Sequence, residues 1–398
     1  MTERPLRVLC LDIEGGYGGS SRSLYESVRF IDRSKVDFEI WCRRTGPIQA
    51  RYEAIGVVTQ TWPSMPKVSA LLRLSRNLFV HCAFLRDWFV AREFRHDLRE
   101  TVNDRFDLVH FNHEALHMLA RWLQPRVTVP FTMHIRTNLH DTPFARHQNR
   151  SIASTIDHLV FITENERATF ERLAGGAANG TVIHNIASWP ASGVAPHPNV
   201  PVDDRYKIAS LSNFSWLRGV DRLVDVAEAL ANKGRRNVLF VVAGNMTLTR
   251  SLPGRLGAIA RRGGGLADYV RDRRLDDMFL FLDHVDEPES VLLACDALAK
   301  PTRECNPWGR DIIEAMAAGK PVLTCGEYDK FVEDGVTGFL QPKFDAVTFA
   351  RKVVALADDR SLSARLGAEG RKRAERHCGG ADRSADLMAV WCAVAAKH

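Results

Sequence analysis

This sequence of 398 residues lacks long apolar runs and closely spaced cysteine pairs, and its net charge is small. No run reaches about 18 consecutive apolar residues, the length of a membrane-spanning helix, so no such helix is expected. The first residues lead straight into a strand-like run without the apolar segment of a secretory signal, so export is not expected either. The eight cysteines include no Cys-x-x-Cys pair, and we therefore expect reduced, mostly buried thiols in the cytoplasm.

Size and charge narrow the class of protein without choosing its function. A chain of this length exceeds one ordinary core, so two domains are expected. Hydrophobic residues make up 45% and charged residues 26%, which is a globular composition. The net charge of +6 suits anionic partners, namely nucleotide diphosphates, acidic membrane surfaces or nucleic acid. For nucleic acid, charge is the sole argument, and we do not expect it as a partner.

The most informative stretch runs from Arg303 to Thr324 and predicts a loop, a helix and a buried strand. Pro307 and Gly309 keep the loop irregular, and the helix is expected to end at Gly319. A helix that begins after a glycine-bearing loop presents free N–H groups, which favour a phosphate. Glu314, one turn into this helix, is placed to accept hydrogen bonds from neighbouring hydroxyls of a sugar.

The sequence from Glu314 to Val322, EAMAAGKPV, resembles the signature of retaining glycosyltransferases of family 4, which have the GT-B fold. That signature reads Glu, seven residues, Glu, then Ala-Met-Ala-x-Gly-x-Pro-Val. The resemblance implies that Glu314 binds the ribose of a nucleotide-sugar. Asn306 occupies the position of the first Glu, where it can hydrogen-bond the donor sugar without carrying charge, and Glu304 lies close but out of register.

The resemblance also implies the fold class, an α/β protein with two Rossmann-like domains that face a cleft. We expect an N-terminal acceptor-side domain over residues 1–187 and a linker over 188–205. A nucleotide-sugar-binding domain is expected over 206–380. A C-terminal helix, residues 381–398, is expected to cross back to the first domain.

In the second domain, the stretch that starts at Ile208 resembles the family's strand followed by Gly-Arg-x and Lys-Gly-x-Asp. Arg218 takes the Lys position, and a guanidinium binds phosphate well through its forked donors. Asn213 takes the position of the family's Arg, so Arg310 or Lys300 is the expected substitute for that cation.

In the first domain, a Gly-Gly loop follows the first predicted strand and precedes a helix. It is neither a Walker motif nor a dinucleotide fingerprint, and such loops also occur merely for tight packing. The resemblance implies that Gly18 and Gly19 border the donor diphosphate and the acceptor. Ligands of open α/β sheets lie at the carboxyl ends of strands, which makes His113, His134 and Arg136 candidates.

The predicted site residues, gathered by role, are as follows. The catalytic candidates are His134, Arg218, Asn306 and Glu314, and the acceptor-side candidates are His113 and Arg136. The donor-binding candidates are Gly18, Gly19, Arg218, His284, Glu304, Gly309, Arg310, Asp311 and Glu314, where His284 belongs to the loop that holds the nucleobase in the family. His110 and His117 are interpreted as structural residues.

Residues 68–100 predict a helical, basic segment in which large aromatic residues alternate with arginines. Two interpretations remain open. The segment is either a helix packed on the sheet with solvated arginines, or a helix that lies on an anionic membrane surface. The first is favoured for most of the segment.

The reaction that these observations and the resemblance imply is transfer of a hexose from a UDP- or GDP-sugar, with retention of configuration. The expected acceptor is a polysaccharide, oligosaccharide or lipid-linked glycan, and neither a metal nor a cofactor is expected. The expected place is the cytoplasm, and contact with the inner face of the membrane stays open with the second interpretation of residues 68–100. Two alternatives stay open: a sugar-nucleotide 2-epimerase of GT-B fold, and a non-catalytic subunit that binds nucleotide-sugars.

Overall fold

The computed structural model describes residues 4–16, 18–68, 78–190, 193–304 and 307–398. The chain forms two compact units, one built from the residues up to Ile186 together with Gly379–His398 and the other from Ala187–Cys378. Each unit is a parallel β-sheet with helices on its faces, which confirms the predicted α/β class. Among the described residues, no helix is long and apolar enough to cross a membrane.

The first unit contains a seven-stranded sheet of order β3-β2-β1-β4-β5-β6-β7, and all of its neighbouring strands are parallel. A parallel sheet buried on both faces needs nearly continuous apolar strands, and the middle of β1 has this property, since Val8 to Leu11 are fully buried. The strands are β1 Leu6–Asp12, β2 Val36–Cys42, β3 Val58–Thr61, β4 Leu108–Phe111, β5 Phe131–Ile135, β6 His158–Phe161 and β7 Gly180–Val182.

The second unit contains a six-stranded parallel sheet of order β10-β9-β8-β11-β12-β13. Every residue of its β9, with the sequence VLFVVA, is buried. The strands are β8 Tyr206–Leu211, β9 Val238–Ala243, β10 Phe279–Leu282, β11 Ala297–Lys300, β12 Val322–Cys325 and β13 Gly338–Gln341. Between β7 and β8 the described residues form no helix or strand.

Helices cover both sheets. In the first unit they are α1 Gly19–Val28, α2 Ile48–Ala54, α3 Leu78–Val90, α4 Arg92–Arg105, α5 His117–Leu123, α6 Pro143–Thr155 and α7 Glu164–Ala174. In the second unit they are α8 Arg222–Ala231, α9 Gly254–Arg261, α10 Leu266–Asp272, α11 Pro288–Ala294, α12 Arg310–Ala317, α13 Ala346–Asp358 and α14 Arg360–Cys378. The last helix, α15 Gly380–Ala395, returns to the first unit as predicted, and its Trp391 is fully buried in the core that covers β1 and β4.

Two local features differ from the sequence expectation. The helical segment expected over 68–100 contains a break at Ala91, where ψ is 23°, so that α3 and α4 are separate helices; residues 69–77 lie outside the described chain. The edge strand β3 was not expected, because its sequence VTQT lacks an apolar run. Of the described cysteines, Cys82 and Cys392 are exposed and the other five are buried.

Each sheet reverses its strand order at one point, between β1 and β4 in the first unit and between β8 and β11 in the second. The loops at the carboxyl ends of these central strands leave in opposite directions and form a crevice, where open α/β sheets bind ligands. The loop after β1, Ile13–Gly18, and the loops after β8 and β11 therefore define the candidate site in each unit.

Candidate functional site

In the second unit, the loops after β8 and β11 are joined by several hydrogen bonds. The loop after β8 contains a short 3-10 turn, Trp216–Arg218, that ends at Gly219 with φ of 73°. The backbone N–H of Arg303 donates to the carbonyl of Leu217 at 2.7 Å, and the hydroxyl of Thr302 donates to the same oxygen at 3.1 Å. A Cβ on Gly219 would come within 2.0 Å of the Pro301 carbonyl oxygen, so this approach requires glycine.

Arg303 fixes this pair of loops further, although it was not among the predicted site residues. Its guanidinium donates to both carboxylate oxygens of Asp221, at 2.8 and 2.6 Å, and lies 3.5 Å from the centroid of the Trp216 ring. The Asp221 side chain is only 6% exposed, so the bidentate pair is well shielded from water. These residues are 82 positions apart in sequence, and no local pattern connects them.

Arg218, the predicted diphosphate ligand, differs from its neighbours in its surroundings. Its side chain is exposed, whereas that of Arg303 is half-buried. Within the described residues, no carboxylate forms an ion pair with Arg218. The guanidinium therefore remains available to an anionic ligand, in a loop whose backbone is held from both sides.

The predicted anion-binding helix is α12, which begins after Gly309, a residue with φ of 141°. The ammonium group of Lys300, at the end of β11, donates to the Trp308 carbonyl and to the Asp311 carboxylate, both at 3.0 Å. A Cβ on Gly309 would come within 2.7 Å of that ammonium nitrogen. Lys300 thus fixes the loop against the first turn of the helix, and glycine is what allows it to lie so close.

Arg310 and Glu314 form an ion pair along one face of α12. One guanidinium nitrogen of Arg310 lies 2.7 Å from the Glu314 carboxylate and 2.8 Å from the Ser188 hydroxyl. The two charged side chains are 10% and 7% exposed. Glu314, the predicted ribose ligand, is therefore held in one orientation by its neighbour one turn earlier.

The other predicted residues of the second unit occupy more open positions. His284 is 66% exposed, with its Nε2 atom 3.4 Å from the Asp286 carboxylate, and Glu304 is exposed in the loop before α12. Asn306 lies outside the described residues. Asn213, which replaces the family's Arg, accepts a hydrogen bond from the backbone N–H of Asn245 at 2.9 Å and so ties the loop after β8 to the loop after β9.

In the first unit, a buried polar row crosses the ends of β1 and β4. The carboxylate of Asp12 accepts hydrogen bonds from the Ser21 hydroxyl and from the Asn112 amide, the latter at 2.8 Å. Burial raises the pKa of Asp12, and these two donors oppose that rise. Gly18 and Gly19 precede and begin α1 directly beside this row.

Gly18 is not required by its contacts with the described residues of the unit. A Cβ on Gly18 would lie 3.4 Å from the nearest side-chain atom, which is ordinary contact, whereas one on Gly16 would come within 2.7 Å of Ile48. Gly16 also has a φ of 100°, and it was not among the predicted site residues. The predicted role of Gly18 therefore depends on the close approach of a ligand and stays a prediction.

The predicted acceptor-side residues lie in the loops after β4 and β5. Arg136 donates to the Asn112 carbonyl at 2.7 Å and to the Asn185 side chain at 3.2 Å, and its backbone N–H donates to Glu114 at 3.0 Å. His113 accepts from the backbone N–H of Ala115 at 3.1 Å and so caps a 3-10 turn. Both side chains thus stabilise the loops that border the end of the sheet.

His134 lies near the end of β5, and its Nδ1 atom is 2.8 Å from Nε2 of His110 on β4. The two side chains are buried, with relative exposures of 3% and 0%. Burial lowers the pKa of His110 to about 3, and burial together with Arg136 holds the pKa of His134 far below its usual range. Both imidazoles are therefore neutral at physiological pH. No cluster of metal-ligating side chains occurs in the described part of the chain.

Both halves of the chain match family models of one enzyme class. Residues 18–186 match the glycosyl transferase 4-like domain, and residues 196–373 match glycosyl transferases group 1. The chain is 28% identical over 177 residues to the capsular polysaccharide biosynthesis glycosyltransferase CapM of Staphylococcus aureus, which covers 44% of this chain and 42% of that protein. It is 34% identical over 192 residues to the D-inositol 3-phosphate glycosyltransferase of Streptomyces avermitilis, covering 46% and 37%.

These alignments span less than half the length of the two relatives. A solved structure covers far more: Anabaena Alr3699/HepE, in complex with UDP and glucose, is similar with a TM-score of 0.75 over 98% of this chain and 100% of that one. At 16% identity this likeness concerns the fold alone. The chain belongs to the glycosyl transferases group 1, the glycosyltransferases of family 4, and has their GT-B fold.

Proposed function

We propose that the protein is a retaining glycosyltransferase that moves a hexose from a UDP- or GDP-sugar to a growing polysaccharide, an oligosaccharide or a lipid-linked glycan. The observation that carries the proposal is the exposed guanidinium of Arg218, which has no acidic partner among the described residues. It lies on the loop that is hydrogen-bonded to residues 301–303, the segment that leads into α12.

Transfer of the sugar leaves negative charge on the diphosphate, and the second unit offers two ways to stabilise that charge. The first is Arg218, and the second is the positive end of the helix dipole at the start of α12, around Gly309 to Asp311. Both are held in place before the reaction by the loop contacts described above, and such prearranged donors stabilise developing charge most effectively. This route needs no metal ion, so activity should survive chelation with EDTA.

Glu314 is proposed to bind the ribose of the donor. A carboxylate accepts hydrogen bonds from two adjacent hydroxyls, and hydrogen bonds to charged groups contribute about 1.5–3 kcal/mol each. Its pair with Arg310, 2.7 Å long and little exposed to solvent, holds the carboxylate in one orientation. Asn306 is proposed to hydrogen-bond the donor sugar, as a neutral substitute for the family's first Glu.

UDP is the first nucleotide to test, since HepE was solved with UDP and glucose. A polysaccharide is the first acceptor to test, since CapM is named for capsular polysaccharide biosynthesis. A thermal shift series with UDP, GDP, UDP-glucose and GDP-mannose would identify the nucleotide, because a ligand at 100 times its Kd stabilises the folded state by about 2.7 kcal/mol. Arg218→Gln should abolish most of the shift. The matched control is Arg262→Gln, which alters an exposed arginine at the end of α9 in the same unit.

A shift that Arg218→Gln leaves unchanged would refute the placement of the diphosphate. If every nucleotide fails to stabilise the wild type, the proposal fails as a whole. Turnover is tested separately, by release of UDP or GDP in the presence of candidate glycan acceptors, and proton NMR of the product's anomeric signal decides between retention and inversion. Tight binding of a nucleotide-sugar without any turnover would support a non-catalytic subunit instead.

Contact with a membrane surface belongs to the same proposal and concerns α3. Five apolar side chains of this helix are more than half exposed: Leu78, Phe79, Leu85, Phe89 and Val90, with Phe79 at 84% and Phe89 at 75%. Other aromatic residues of α3 are packed, since Trp88 lies against Trp122 and under the guanidinium of Arg95. One side of α3 is therefore anchored in the unit while the other presents an apolar face beside arginines, as interfacial helices do.

Flotation with vesicles that contain about one-third anionic lipid tests this contact. Burying a Phe side chain contributes about 1.5–3 kcal/mol, so Phe79→Ser with Phe89→Ser should reduce the bound fraction at least tenfold. A control with two exposed valines of the second unit, Val202→Ser with Val347→Ser, should bind as the wild type does. Equal loss in both double variants, or no vesicle binding at all, would contradict the proposed contact.

A further inference from the structure

A chain of hydrogen bonds links the C-terminal helix α15 to the end of strand β5. The indole nitrogen Nε1 of Trp391 lies 3.3 Å from Nδ1 of His110, and Nε2 of His110 lies 2.8 Å from Nδ1 of His134. The hydroxyl of Thr132 is also 2.8 Å from Nδ1 of His110. The rings contact one another, with centroids 5.3 Å apart for Trp391 and His110 and 4.9 Å apart for the two histidines.

The direction of every proton in this chain follows from the indole. An indole N–H donates and never accepts, so Nδ1 of His110 must be the unprotonated, accepting nitrogen. A neutral imidazole has one N–H, and that of His110 is therefore on Nε2, where it donates to Nδ1 of His134. Nδ1 of His134 is then the acceptor, and its own proton is on Nε2.

Neutrality of the two rings supports this assignment independently. Both histidines are buried, and burial keeps the imidazolium form of each unfavourable. A charged His110 would direct an Nδ1–H at the indole N–H of Trp391, which cannot accept it. The geometry of three donors and two acceptors thus allows a single arrangement of protons.

We infer that Trp391, through His110, is a positioning residue that fixes His134 as the Nε2–H tautomer, so that His134 offers a hydrogen-bond donor to an oxygen of the substrate and does not act as a proton acceptor. Nε2 is the nitrogen of His134 to which no residue in the described part of the chain is hydrogen-bonded. The inference rests on the proposed function for the identity of the substrate oxygen, which belongs to a hydroxyl of the donor sugar or of the acceptor.

Trp391 connects the last helix of the chain to His134, which lies 257 positions earlier, and this connection runs through tertiary contacts alone. α15 is held on the first unit by the Ser384 hydroxyl, which donates to the Ser27 carbonyl at 2.6 Å, and by the burial of Leu387 and Trp391. Trp391 and His110 are 281 positions apart in sequence. Loss or displacement of α15 would remove the group that orients the histidine pair, even with every residue of the β-sheet in place.

Long-range nitrogen–proton NMR spectra of the full chain with 15N-labelled histidine test the tautomers directly, without donor or acceptor. The signals of His110 and His134 are assigned by their loss in His110→Asn and His134→Asn. In the wild type, both rings should give the pattern of a neutral Nε2–H imidazole. In Trp391→Phe, the Thr132 hydroxyl is free to accept instead of donate, so both rings should become mixtures of tautomers, and kcat should fall about tenfold.

Trp41→Phe is the matched control, because Trp41 is equally buried in the first unit, donates a hydrogen bond to Glu39 and packs on the opposite face of the sheet. It should leave both histidine patterns unchanged. An Nδ1–H pattern for His134 in the wild type overturns the inference, and so does a Trp391→Phe spectrum that equals the wild type. If Trp391→Phe fails to fold, the wild-type spectrum still decides. The correct tautomers without any nucleotide binding would refute the proposed function and leave this assignment intact.

Discussion

Two glycines with the same backbone conformation allow the contact between the site loops to be measured. Gly219 has φ of 73° and Gly234 has φ of 70°, and both belong to the second unit. A Cβ on Gly234 would meet nothing within 4 Å, whereas one on Gly219 would lie 2.0 Å from the Pro301 carbonyl oxygen and 2.9 Å from its carbon. Both Gly219→Ala and Gly234→Ala therefore strain the backbone to a similar degree, and only Gly219→Ala also disturbs the contact between the two loops.

The expected magnitudes follow from these distances. An alanine in the left-handed region costs about 1–2 kcal/mol, and this is the whole effect expected for Gly234→Ala. At Gly219 the loops must separate by more than 1 Å, roughly, to restore normal contact, and overpacking of this kind costs about 1–3 kcal/mol more. Gly219→Ala should thus lower the free energy of unfolding by about 2–5 kcal/mol in total.

Separation of the loops should also displace the turn that carries Arg218. Urea denaturation gives the two free energies of unfolding, and the thermal shift produced by a fixed concentration of UDP gives the change in binding. Gly234→Ala should keep the UDP shift, and Gly219→Ala should lose most of it. Equal stability and equal UDP shifts in the two variants would refute the account of how the loops after β8 and β11 are held together.

Two further tests concern buried charge and pH. Asp87 pairs with Arg43, with side-chain exposures of 9% and 13%, so Asp87→Asn should lower the free energy of unfolding by about 3–5 kcal/mol in urea denaturation. Asp141 forms an exposed pair with Arg146, and Asp141→Asn should cost below about 1 kcal/mol. Equal losses in the two variants would contradict the argument from burial. Burial lowers the pKa of His117 to about 4, so between about pH 6.5 and pH 4 the unfolded state binds a proton that the folded state does not bind. The contribution of His117 to the free energy of unfolding is therefore complete above about pH 6.5 and falls by about 1.4 kcal/mol per pH unit toward pH 4. The slope of unfolding free energy against pH should be smaller by that amount in His117→Asn, and an unchanged slope would contradict a neutral, buried His117.

The segment from β11 to β12 was predictable because its signals are local. The apolar positions of α12 recur at helical spacing, and the helix ends at Ala317, two residues before Gly319 with its φ of 69°. Val322 begins the strand that the apolar run predicted. Three successive local signals agreed with one another, and the family resemblance in the same residues identified the fold of the whole chain. The return of the last helix to the first unit was likewise an implication of the resemblance.

What the sequence did not predict depends on partners distant in the chain. The bidentate pair of Arg303 with Asp221 joins residues 82 positions apart, and the bond from Trp391 to His110 spans 281 positions. Neither residue type is unusual at its position, so neither pairing has a local signal. His110 was interpreted as a structural residue, and it is indeed buried in the core, yet the same burial makes it the neighbour that orients His134.

The cations around α12 bear on how the proposed diphosphate site compensates for Asn213 at the position of the family's Arg. Arg310 and Lys300 were the expected substitutes, but the structure pairs each with a carboxylate, Glu314 at 2.7 Å and Asp311 at 3.0 Å. Recruiting either one would break an ion pair that is at most 14% exposed, which costs more than the new contact returns. The two pairs are therefore better understood as supports that fix the first turn of α12. Arg218 is left as the guanidinium without an acidic partner among the described residues, so we expect binding of a diphosphate to depend strongly on it.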